Sequence, residues 1–243
     1  MIAPLKGISS MATRRVLVEL AAAWRMQGGG PLTIESVGGV DAARRMEAGE
    51  EGFDVVFLAS DAIDRLQAAG RVAAGSKVDL MLSGTVAAVP SGSPHPDIGN
   101  EEAVRTAVLA ALSLGYSTGP SGVALQRLFE RWGIAEQVLP RVVQAPAGVP
   151  VGSLVAEGTV ALGFQQLSEL IDVPGIDIVG PLPPEIAIDT TFSAGVAAGS
   201  PNADAVRRLL AFMASPAAAE AKCRRGMQPI PSAPPPLSSR KSA

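Results

Sequence analysis

Residues Gly115 to Gly133 read GYSTGPSGVALQRLFERWG. The loop Ser117-Thr118-Gly119-Pro120-Ser121-Gly122 opens directly onto an amphipathic helix. Val123, Leu125, Leu128, Phe129 and Trp132 recur at helical spacing, while Gln126, Arg127, Glu130 and Arg131 take the other face. Hydroxyls and unpaired backbone N–H groups thus meet at the positive end of a helix dipole, which suits an anion. An ordinary capped turn would look similar. A second loop of the same kind near the N-terminus tips the reading toward a ligand.

Outward from that stretch, strands alternate with helices. An apolar run over residues 2–8 precedes a helix over Met11–Arg25, and Leu32–Val37 is the next strand. Gly38-Gly39 leads into a helix over Asp41–Ala48. Phe53–Leu58 is a buried strand, followed by Ala62–Ala69 with Asp61 as its cap. Met81–Val89 reads as a strand, Ser91–Gly99 as a loop and Glu101–Leu112 as a helix. Further strands are expected at Gln137–Val143, Val160–Phe164, Ile176–Val179 and Thr190–Ala198, and helices at Val149–Gly158 and Asn202–Ser215. Such alternation predicts mainly parallel α/β sheets with both faces covered. The closing SAPPPLSSRKSA cannot bury a core and reads as a disordered tail over 229–243.

Composition narrows the function. Net charge is −3, with no basic stripe, so nucleic acid is not an expected partner. One cysteine, Cys223, and one histidine, His95, exclude a disulfide within the chain and a multi-histidine metal site. No run reaches the roughly 20 apolar residues of a membrane span, and the first residues lack the pattern of a secretory signal. The expectation is a cytoplasmic protein as written, or a periplasmic one if the true start lies upstream. No cofactor or metal is expected. GxSxG, GxxxxGK[ST] and GxGxxG are absent, which disfavours a serine hydrolase and a nucleotide binder.

In an open parallel sheet, ligands lie beyond the carboxyl ends of the strands. Ser9 and Ser10 end the first strand, and Gly38, Gly39 and Val40 open the second helix. Across a cleft they would face Ser117, Thr118, Ser121 and Gly122, with Arg44 one turn into its helix. Pre-oriented hydroxyls and amides can hold an oxyanion without a lysine or arginine.

The order ISS-helix, VGG-helix, FDVVFLAS, GYSTGPSG-helix and a late GTVALGFQQLSEL resembles the type II periplasmic solute-binding proteins, and most of all their molybdate-binding subgroup. The resemblance spans about residues 1–228. It implies a two-lobed α/β fold, each lobe a mainly parallel sheet flanked by helices, with a small anion clamped between them. Lobe one would comprise residues 1–82 plus 195–228, and lobe two residues 83–194. Ser10 fills the place of the first ligand serine. The second falls at Gly39 or Val40 and the late tyrosine at Gln165 or Gln166, departures that favour a di- or tricarboxylate over a tetrahedral oxyanion. An ABC permease is the implied partner if the chain is exported.

Relatives of the molybdate-binding proteins include aconitate isomerases, which interconvert the cis and trans isomers of a tricarboxylate. A similar chain would need a general base. Glu35, Asp41, His95, Glu169 and Glu185 are conceivable, with Glu169, one turn after Gln165, as first choice and Asp41 as a helix cap. A ligand sensor acting through a protein partner is the third reading.

Overall fold

In the computed structural model, which describes residues 4–146 and 148–230, the alternation expected from the sequence appears as one curled sheet flanked by helices. Lobe one begins β1 (Leu5–Ser10), α1 (Arg14–Met26), β2 (Leu32–Val37), α2 (Gly39–Glu47), β3 (Val55–Ala59) and α3 (Ser60–Ala68). The chain then crosses on β4 (Val78–Pro90). Lobe two contains α4 (Glu101–Ala110), β5 (Leu114–Tyr116), α5 (Pro120–Arg131), α6 (Ala135–Val138), β6 (Val142–Gln144), α7 (Val151–Ala156), β7 (Leu162–Gln166), α8 (Leu167–Leu170) and β8 (Ile176–Pro181). It returns on β9 (Asp189–Val196) to α9 (Ala203–Ala214), α10 (Ala219–Arg224) and β10 (Gln228–Pro229).

Strand order is β2-β1-β3-β9-β4-β7-β5-β6, with β8 and β10 also paired to β4. Pairing is parallel among β1, β2 and β3 and among β5, β6 and β7. Contacts of β4 and β9 are antiparallel. Both lobe boundaries read from the sequence, 82/83 and 194/195, fall inside these two shared strands.

Period-two burial explains why β3 carries almost no polar residue. Val55 and Phe57 enter a core with Leu17, Leu20, Leu209 and Met213, whereas Val56 and Leu58 enter another with Ile8, Met46 and Ile63. Lobe two repeats the device on β4, where Ala87 and Val89 join Val104, Phe129 and Phe164 while Val86 and Ala88 face Leu170. Helix α9 buries Val206, Leu209, Leu210 and Met213, as its spacing predicts.

Several local expectations need correction. Gln137–Val143 is a strand only at Val142–Gln144; its start is α6 followed by a 3-10 turn at Leu139–Arg141. Burial of Ile134 and Val138 against Phe129 and Leu125 overrides the β preference of the valines. Asp61 and Asp41 are not helix caps. Ala59 and Gly38 hold those places, and each aspartate sits in the first turn paired with an arginine, Asp61 with Arg65 at 2.7 Å and Asp41 with Arg44 at 3.0 Å. Val123, expected on the apolar face of α5, is exposed. Of the stretch 229–243, residues 231–243 lie outside the described residues, while Gln228–Pro229 pairs with Met81 and Leu82. Among the described residues no helix is long and apolar enough to cross a membrane.

Candidate functional site

Three strand-to-helix junctions of lobe one and the Ser117 loop of lobe two line a single cleft of about 540 Å³, within the range of small-molecule sites. Lobe one contributes Ser10 and Met11 after β1, Gly38, Gly39 and Val40 at the start of α2, and Ala59, Asp61 and Ala62 at the start of α3. From lobe two come Ser117, Thr118, Gly119 and Pro120, the segment Gly148–Pro150, and Gln165, Gln166 and Glu169. Helices α2, α3 and α5 all begin at this cleft, and none has a side-chain cap. Their first-turn N–H groups have no intrahelical acceptor, so dipoles and donors converge on one space. Leu58, Ala43, Val149 and Phe192 make the rest of the wall largely apolar.

Ser10 is the clearest polar vacancy. Its Oγ is buried and has no hydrogen-bond partner, a costly condition that a ligand acceptor or donor relieves. Gly39 stands beside it: a Cβ at position 39 would lie 3.3 Å from the Ser10 Cβ. The sequence thus brings its two N-terminal loop motifs into contact. Ser9, by contrast, lies behind the cleft wall and shares a hydrogen bond with Ser36 at 2.8 Å.

The other loop divides in the same way. Ser117, Thr118, Gly119 and Pro120 face the cleft. Ser121 is buried behind them and donates to Gln166 Oε1 at 3.2 Å. Gly122 is required for packing, because a Cβ there would sit 1.8 Å from the Ser117 carbonyl oxygen. Gln166 donates onward to Thr190 Oγ1 at 3.4 Å. Gln165 Oε1 accepts from the Val151 N–H at 2.7 Å, and its side chain stands close enough to Glu169 to favour the carboxylate. Both glutamines border the cleft with their amides already partly engaged.

Glu169 is the exceptional titratable group. Burial pushes its carboxyl up to about 7, and the hydrogen bond from Gln165 offsets only part of that effect. Of the other acids considered from sequence, Asp41 lines the cleft, Glu35 pairs with Arg45 outside it, and His95 stands on an exposed loop 3.7 Å from Asp177. Glu185 is exposed on a short turn before β9. Arg44 reaches the cleft but is bound to Asp41, and Arg65 is bound to Asp61. Each lining arginine thus stands beside a lining aspartate in an exposed, salt-screened pair. Among the described residues no group of three His, Cys, Asp or Glu side chains is placed to hold a metal.

The sequence reading missed the third junction, Ala59-Ser60-Asp61-Ala62, and the returning Phe192. The first was legible as another small-residue turn after a buried strand, but Asp61 there reads as a cap. Phe192 carries no local signal, since only the pairing of β9 with β3 and β4 brings it to the cleft.

A family model described as bacterial extracellular solute-binding protein matches residues 5–228. A Pseudomonas sp protein named aconitate isomerase is 43% identical over 188 residues, covering 77% of this chain and 71% of that one. The periplasmic molybdate-binding protein of Azotobacter vinelandii has a TM-score of 0.77 at 19% identity, covering 94% of this chain and 100% of its own. A sulfate-binding protein of Mycobacterium tuberculosis gives 0.76 at 15% identity, with 94% and 88% covered. At such identities the two structures share the fold.

Proposed function

The chain belongs to the family of bacterial extracellular solute-binding proteins, and from that premise we propose that its cleft holds a small unsaturated di- or tricarboxylate and shifts its double bond. The ligand carboxylates accept from Ser10 and from the amides opening α2, α3 and α5. Glu169 is the general base. As a carboxylate it takes a proton from a methylene carbon flanked by a carboxylate and by the double bond. The C–H pair becomes the new π bond while the old π pair moves to the far carbon. Glu169 then returns the proton to that carbon, so atoms and charge balance with no co-reactant.

The observation that carries this reading is the place of Glu169, a carboxyl on the wall of the cleft at which three uncapped helices begin, its pKa pushed up to about 7 by burial. Near neutral pH it is present in both forms, which suits a group that must accept a proton and give it back. Similarity to a protein named aconitate isomerase supports the substrate class. Binding without chemistry is the second reading, favoured by the family membership and the fold neighbours; the same cleft would then pass its ligand unchanged to an ABC permease.

One experiment separates the two. The purified protein is screened by thermal shift with molybdate, sulfate, citrate and both aconitate isomers, and each hit is followed by NMR over hours. Stabilisation by an aconitate whose spectrum converts to the other isomer supports the enzyme. Dose-dependent stabilisation with an unchanged spectrum sinks it in favour of the binding protein.

A further inference from the structure

Glu169 borders two cavities. Besides the cleft it lines a second, adjoining pocket of about 550 Å³, and Met11 and Pro150 are shared by both. Val18 forms part of that second wall. The rim is charged: Arg15 and Arg225 each reach Asp172 at 2.6 Å, and Arg225 also binds Glu19. A space of that size bounded by ionic groups stays wet, since dry walls would leave those charges unsolvated.

We propose that this rear pocket is a water port through which Glu169 exchanges its proton with solvent while the ligand occupies the front cleft. The port rests on the isomerase reading for its use, but not for its existence. The ligand blocks only the front face of the carboxyl. Behind it, water still reaches the acid formed after proton abstraction and can replace its proton before that proton is returned to carbon. Each turnover then carries a solvent hydrogen into the product, and the net reaction still balances.

The first test needs no ligand. Cys223 is the single cysteine of the chain and is exposed, so Glu169→Cys in a Cys223→Ser background places one thiol at the partition. Its thiolate attacks a small cationic methanethiosulfonate and releases methanesulfinate. With the front plugged by Val40→Trp and Thr118→Trp, labelling should persist, and adding the rear plug Val18→Trp and Arg14→Trp should then slow it at least about fivefold further. All four positions are exposed, so the plugs do not disturb a core. Labelling abolished by the front plug, or untouched when the rear plug is added, overturns the port. The second test is turnover of trans-aconitate by the full-length protein in D₂O: deuterium in the product, reduced by the rear plug at unchanged KM, is expected. Turnover that leaves the product undeuterated overturns the port while upholding the isomerase. Absence of turnover defeats the isomerase reading and leaves the thiol result to decide the port.

Discussion

Ser121 donates its hydroxyl hydrogen to Gln166 Oε1 across 3.2 Å, behind the wall of the cleft. Two residues that look like ligand contacts in the sequence therefore satisfy each other. Ser10 has no such partner. Ser10→Ala should weaken carboxylate binding by about 1–3 kcal/mol through loss of a charge-assisted hydrogen bond. Ser121→Ala should instead cost about 1 kcal/mol of folding stability and leave affinity within about twofold. Calorimetric titration beside thermal melts checks both. Equal losses of affinity in the two variants would contradict the division of the loop into a facing half and a packing half.

Glu169→Gln tests the base. Binding should persist while isomerisation falls by about 10²–10⁴-fold. In the wild type, kcat/KM should rise with pH through about 7 as the carboxyl ionises. Asp41, Arg44, Glu47, Asp61 and Arg65 line the cleft with it, and Arg14, Arg15, Glu19, Asp172 and Arg225 line the second pocket. Folding carries the opposite sign. The folded pKa is raised above the ordinary 4.5, so the native state binds more protons between about 4.5 and 7, and this contribution is lost as pH rises through that window. The glutamine variant should consequently gain stability relative to wild type above pH 7, by about 3 kcal/mol. Urea unfolding at pH 5 and pH 8 measures the difference.

Lys222 is an ammonium buried in lobe one, donating to the Leu80 carbonyl at 2.7 Å. Leu80 lies where the β4–β9 register slips between Asp79 and Met81, and Met81 faces Phe192, a cleft residue. The lysine thus supplies a donor at an irregular point of a strand shared by both lobes. Burial lowers its pKa to about 8. Between about 8 and 10.5 the unfolded chain binds more protons, so wild-type stability rises with pH there. Lys222→Met should abolish that rise, a difference of about 3 kcal/mol accumulated across the window. Parallel pH profiles for both proteins would show that the Lys222 ammonium is as well solvated in the fold as in the unfolded chain.

What the sequence made legible follows from the range of each signal. Val55 to Leu58 are apolar on both faces, which marks a strand covered on both sides, parallel to β1 and antiparallel to β9. Ser10, Gly39 and Ser117 were found because a small-residue loop before a helix is a local pattern. Ser9 and Ser10 are adjacent and alike in sequence, but the pleat sends one hydroxyl to Ser36 and leaves the other unpartnered. Which is which depends on the register of β1 against β2, a property of two segments rather than one. Phe192 and the rear pocket required the same knowledge on a larger scale. The raised pKa of Glu169 comes from what covers it, so spacing could place the residue near Gln165 but could not show that its carboxyl is buried.

Asp172 provides the last prediction. It belongs to lobe two, three residues after Glu169, and is gripped by Arg15 and Arg225 of lobe one. All three side chains are about a third or more exposed, and pairs of that kind contribute little to folding. Their geometry nonetheless spans the two lobes, and lobe opening is a far smaller free-energy change than unfolding. A weak contact can therefore be negligible for stability and large for the clamp. Asp172→Asn should shift the melting temperature by less than about 3 °C. Ligand dissociation should quicken about three- to tenfold, and added salt should produce the same acceleration in the wild type by screening the exposed pairs. Stopped-flow release at low and high ionic strength is the measurement. A variant whose release rate and salt response match wild type would show that the arginines hold Asp172 without holding the lobes.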